Sequence, residues 1–148
     1  MSTKAEYLLA RYAEEKALAR GAGAEGVTEW WYDPTKVNSV DRGEAVFGGL
    51  RGPMAITVAS TGPADDPQSM RDAAHIAYHD PAHVLRDIAA KRRIVTDWIS
   101  LAERLDGLGR PLHLFDPATS MLLKATEPWI RALLSVYAYR DDFPEEWR

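Results

Sequence analysis

The chain contains no cysteine in 148 residues. That one absence excludes disulfides, thiolate zinc sites and cysteine nucleophiles together, and it suits a protein of the reducing cytoplasm. Long apolar runs are missing too. The longest, near "LLSVYAY" at 133–139, falls far short of the roughly 20 residues of a membrane span. The opening "MSTKAEYLL" lacks the charged-then-apolar build of a secretion signal. Lysine is scarce, 5 against 13 arginines, and acids exceed bases by 22 to 18, leaving a net charge of −4. A general nucleic-acid binder needs surplus cations to displace counterions, so the balance argues against that class. What is present, 46% hydrophobic and 27% charged residues, fits a globular chain able to bury a core. The expectation is a single cytoplasmic domain over 1–148, with no membrane contact and no cofactor.

One device punctuates the chain. Asp-Pro occurs at 33–34, 66–67, 80–81 and 116–117. Aspartate accepts the free N–H groups of a first helical turn, and proline at the next position gives up an N–H that has no use there. The pattern predicts helix starts at 67, 81 and 117. Thr3 with Glu6 fits a capping box for an earlier helix, which should stop where Gly21 can turn left-handed. Residues 27–61 change period: "VTEWWYD" and "AITVAST" are strand-like, with "KVNSV" and "EAVFG" weaker candidates between them. The predicted class is α+β. An N-terminal helix with a glycine-rich linker (1–26) leads into an antiparallel β-meander of three or four strands (27–61), then a mainly helical half (66–148). That half has one long helix at 81–105, on whose apolar seam Arg92 interrupts Leu85, Ile88, Val95 and Ile99, with Arg93 and Asp97 spaced to pair outside it. A helical pair at 117–125 and 128–139 completes it.

Few residues point to chemistry. "GAGAEG" at 21–26 fits G-x-G-x-x-G, but it ends a helix and leads into a strand, the reverse of a dinucleotide loop. "HIAYHDPAHVL" at 75–85 spaces three histidines four residues apart. Helical geometry puts Asp72, His75 and His79 on one face, two imidazoles and a carboxylate of the kind zinc and non-haem iron accept. His83 lies past the Asp80-Pro81 break and is expected to point elsewhere, and His113 is the one other histidine. No glutamate stands inside an H-E-x-x-H arrangement and no G-x-S-x-G elbow surrounds a serine, so the simpler reading is a polar helix face. "KRR" at 91–93 with Arg86 could touch phosphate, though Asp87 and Asp97 flank it. The tail carries Tyr137, Tyr139, Phe143 and Trp147 among charges, a composition that interfaces favour and that a docked terminus also shows.

The stretch "TGPADDPQSMRDAAHIAYHDPAHVLRDIAAKRRI" resembles the mark of an uncharacterised family of actinobacteria and their phages, a domain of unknown function. The ending, with Tyr137, Glu146 and Trp147 in place, and the Trp30 region extend the likeness over most of the chain. Relatives carry a C-x-x-C pair and a further cysteine in the region matching 106–128, where this chain has none, so a zinc expectation does not carry over. They also tend to place His-Pro where Arg140 and Asp141 stand. A looser similarity links the central segment to short phage proteins with an aromatic at the position of His75, which favours packing over ligation there.

Three readings follow. The leading one is a non-enzymatic accessory protein, phage- or prophage-related, that binds a host or phage protein or assembles with itself as a homodimer. Its surface would include Arg92, Tyr137, Tyr139, Phe143 and Trp147. The second is a small metal-dependent hydrolase built on Asp72, His75 and His79. The third is nucleic-acid binding through Arg86, Lys91, Arg92 and Arg93.

Overall fold

A computed structural model describes residues 3–23, 26–106 and 117–148, the side chains of 105 and 106 excepted. Its elements run α1 (Lys4–Ala22), β1 (Trp30–Trp31), β2 (Glu44–Gly48), β3 (Ile56–Gly62), α2 (Pro67–Tyr78), α3 (Pro81–Asp106), α4 (Pro117–Ser135) and a 3-10 turn at Glu145–Trp147. The class is α+β, and helices α2, α3 and α4 begin at the three prolines that follow aspartate. The residues pack as two compact units, Met1–Glu14 with Ala89–Arg148, and Glu15–Ile88.

The Glu15–Ile88 unit is built on an antiparallel meander, β1-β2-β3. Every residue of β2 is buried, as a central strand should be when both of its faces are covered. Trp31 stacks on Phe47 at 5.0 Å, and both cluster with Ala45. Helix α2 packs against all three strands and buries Ser69 and Ala73 there. The approach is close: at Gly62, φ +141°, a Cβ would meet the Ser69 hydroxyl at 2.4 Å. Asp66 caps α2 by accepting from the Ser69 backbone N–H at 2.7 Å. These bonds hold its carboxyl below the usual range.

Several expectations need correcting, each for a local reason. "VTEWWYD" shrinks to a two-residue strand because its backbone is engaged elsewhere. Thr28 C=O accepts from Ala82 N–H at 3.0 Å, and Trp30 N–H donates to Asp80 at 3.3 Å. "KVNSV" is not a strand, because Asn38 is buried and folds the chain around its own side chain. Its Oδ1 accepts from the N–H groups of Val40 and Asp41, both at 2.9 Å, and its amide donates to the Asp41 carboxylate. Such local bonds compete with a ladder and win here. Gly21 does not end α1, which continues to Ala22.

In the other unit, the Thr3–Glu6 capping box forms as the spacing predicts. Glu6 N–H donates to Thr3 Oγ1 at 3.2 Å, and Thr3 N–H donates to Glu6 Oε2 at 2.7 Å. Leu8, Tyr12, Val95, Ile130 and Leu134 are fully buried or nearly so. The expected helical pair at the C-terminus is instead one helix, α4, that carries Pro128 inside it. Proline there forfeits one backbone bond. Burial of Thr126, Ile130 and Leu134 on either side keeps the helix continuous. Among the described residues no helix is long and apolar enough to cross a membrane.

Candidate functional site

The histidine segment folds as the corner between α2 and α3. Asp80 sits in that corner and its carboxylate works twice, accepting from His83 N–H at 2.5 Å and from Trp30 N–H at 3.3 Å. The corner does not turn His83 away, as its place beyond the break suggested. The ring centroids of His75 and His79 are 4.5 Å apart, and those of His79 and His83 are 5.6 Å apart. Tyr78 lies 5.1 Å from His79 and 4.9 Å from His83. The helix that opens at Pro81 therefore carries its histidine back beside His79. His75 and His79 are exposed and His83 is half-buried. Asp72, on the same α2 face, accepts from the Gln68 amide at 2.7 Å. Among the described residues no three or more histidine, aspartate or glutamate side chains are grouped so that they could hold a metal ion. His113 lies outside the described residues.

Asp72 and His75 share a shallow cavity with Ser60, Thr61 and Ile76. A nucleophile there would need its hydroxyl bonded to the histidine. Ser60 instead donates to Asp41 at 3.4 Å, and Thr61 donates to the Ser69 carbonyl at 2.8 Å. Nearby Glu44, fully buried, accepts from the Tyr32 hydroxyl at 2.8 Å and from Asp65 N–H at 3.2 Å. Burial, and then this bond, push the Tyr32 hydroxyl up to about 12. Asp65 has φ +62°, so the Glu44 carboxylate pins a strained turn.

Arg86 lines a cavity with Trp30, Trp31, Arg51 and Asp80 in the Glu15–Ile88 unit. Arg92 is half-buried and Arg93 exposed in the other unit. The expected Arg93–Asp97 ion pair is not formed among the described residues.

The tail residues divide. Tyr137 and Phe143 are 5% and 4% exposed, so neither can meet a partner while the tail is docked. They are buried because Tyr7 gathers Tyr137, Phe143 and Trp147 edge-on, at 6.4, 5.6 and 5.7 Å. Asp142 anchors the segment, accepting from Arg11 at 2.9 Å, Arg140 at 3.0 Å and the Tyr7 hydroxyl at 3.3 Å. Arg140 and then Arg11 hold its carboxyl below the usual range. Trp147 is half-buried, and Tyr139 alone of the four aromatics is strongly exposed.

The residue periodicity did not single out an apolar groove that the fold displays. Ile94, Trp98, Leu101, Leu122, Trp129 and Leu133 line a groove of about 470 Å³ along α3 and α4. Trp129 is 61% exposed, with Leu122 and Met121, two turns earlier on α4, also open to solvent. The Trp98 indole N–H is buried and has no acceptor among the described residues. A signal was available: α4 doubles its apolar residues at Leu122-Leu123, Trp129-Ile130 and Leu133-Leu134. Ile130 and Leu134 face the core, and one helix face cannot bury both members of each pair.

The molecule is thus a small α+β protein that carries an apolar groove along two of its helices. It belongs to a family of unknown function (DUF6221), whose model matches residues 1–148. No curated protein and no solved structure matches the chain.

Proposed function

We propose that the protein is a non-enzymatic accessory module that assembles with a second copy of itself through the α3–α4 groove. The observation that carries this reading is the groove itself, apolar, open and rimmed by Trp129 at 61% exposure. A lone exposed leucine means little, but a contiguous apolar face of this kind marks a contact surface. A twofold pair needs one patch that is both ridge and groove, and here Trp129 is the ridge beside the hollow lined by Trp98, Leu101 and Leu133. Charge fits the same occupant. Arg93 and Asp97 stand one turn apart on α3, both exposed and without an ion pair among the described residues. An antiparallel second copy would set each Arg93 against the Asp97 of its mate. The resemblance of the 61–94 segment to actinobacterial and phage proteins supports an accessory role in a phage or prophage setting, and the lack of cysteine supports a cytoplasmic one.

Sedimentation velocity over a range of concentrations tests the proposal. The chain should sediment as a dimer, Trp129→Ser should sediment as a monomer with an unchanged circular dichroism spectrum, and Asp97→Arg should weaken a dimer that Asp97→Arg with Arg93→Asp restores. A parent protein that stays monomeric at every concentration, or a dimer indifferent to Trp129→Ser, overturns it.

A further inference from the structure

We infer that His75 and His79 form a two-ligand site for a late first-row divalent ion, Cu²⁺ or Ni²⁺ ahead of Zn²⁺. The site is independent of self-assembly. A metal sits 2.0–2.1 Å from an imidazole nitrogen, which places the ring centroid about 3.2 Å from the ion. Two rings with centroids 4.5 Å apart are close enough to share one ion at that distance. The affinity order of divalent ions for nitrogen ligands puts copper(II) and nickel(II) ahead of zinc.

The local structure leaves both rings available for this role. His75 and His79 are exposed, and the bond between the two residues is a backbone one, His79 N–H to His75 C=O at 3.2 Å. His79 ends α2 as its C-cap, with the rings of Tyr78 and His83 at 5.1 and 5.6 Å from its own. Asp72, held by Gln68, is left out of the ligand pair. So is His83, whose ring stands farther from that of His79 than the His75 ring does. This agrees with the lack of any three-residue group placed for a metal among the described residues. Water would complete the remaining positions, so the site is a chelating pair with open coordination.

The test is calorimetric titration of the full-length, untagged chain with NiCl₂ and CuCl₂, with MgCl₂ as the hard-cation control. One ion per chain should bind, and Mg²⁺ should not. His75→Gln and His79→Gln, which keep the helix corner polar, should each weaken binding at least tenfold. His83→Gln and His113→Gln should stay within about twofold of the parent, a difference well inside the context scatter of a single interaction. Electron paramagnetic resonance of the copper form should show two nitrogen ligands in the parent and one in either sensitive variant. No one-to-one binding, indifference to His75→Gln and His79→Gln, or an equal loss in His83→Gln would overturn the assignment.

Discussion

The two units hold themselves together by different means. The Glu15–Ile88 unit is small in apolar content and rich in buried or capping polar side chains: Asn38 folds a loop, Glu44 pins a turn, Asp66 starts α2 and Asp80 ties α3 to Trp30. Each of these side chains satisfies backbone N–H groups that a short sheet cannot reach. The unit of Met1–Glu14 and Ala89–Arg148 relies instead on helices and aromatics, with Leu8, Tyr12, Ile130 and Leu134 at its core and the Tyr7 cluster over its tail. Having more apolar helix surface than its core consumes, it leaves the α3–α4 groove open. Directional polar bonds close a fold at specific points, while helical apolar stripes can outrun the core they serve. In this protein the surplus of the second strategy is the surface available for assembly.

That contrast predicts unequal costs. The largest should come from Leu8→Ala, since Leu8 is fully buried and losing a leucine from a packed core costs about 2–5 kcal/mol. Glu44→Ala should cost less, about 1–3 kcal/mol, the penalty of leaving the Tyr32 hydroxyl and the Asp65 N–H without their acceptor. It should also bring the Tyr32 ionisation down from about 12, a change visible in the ultraviolet titration of the folded protein. Denaturant midpoints rank the two variants. If Glu44→Ala proves the more damaging, polar pinning and not apolar burial governs overall stability, and the contrast between the units has to be redrawn.

Sequence periodicity revealed what depends on neighbours along the chain and missed what depends on neighbours in space. The helix starts at Pro67, Pro81 and Pro117 were legible because a cap is a bond between residues three apart. The Glu44–Gly48 strand was only a weaker candidate, marked by its bounding turns, because a strand buried along its whole length shows no alternation. "VTEWWYD" and "KVNSV" were misread because side chains claim their backbone groups: Asp80 does so from fifty residues away, and Asn38 through a local turn that composition alone does not mark. The histidines divide in the same way. The spacing of His75 and His79 placed them together, whereas the return of His83 depends on the angle at Asp80-Pro81 and only the folded corner displays it. Trp129 was placed on a helix correctly, but which of Trp129 and Ile130 lies inside is decided by the core they meet.

The smallest effect should separate the tail from the rest of its unit. Asp142 has a lowered folded-state pKa, owed first to Arg140 and then to Arg11. A carboxylate of this kind binds fewer protons folded than unfolded, so its contribution is complete above the ordinary carboxylate range and is lost as pH falls through the lowered value. Acidification from about pH 5 downward should therefore loosen the tail. Glu127, lowered by Lys4 and Arg131, and Asp66 lose their own contributions in the same direction, so the parent protein alone cannot isolate the effect. The difference between the parent and Asp142→Asn can. Hydrogen exchange at the backbone amides of Tyr137 to Trp147 should respond to acid in the parent more steeply than in the variant, after correction for intrinsic exchange. Identical acid profiles would mean that the Tyr7–Phe143–Trp147 cluster alone holds the tail, and that this aromatic unit owes nothing to the polar pinning that organises the other.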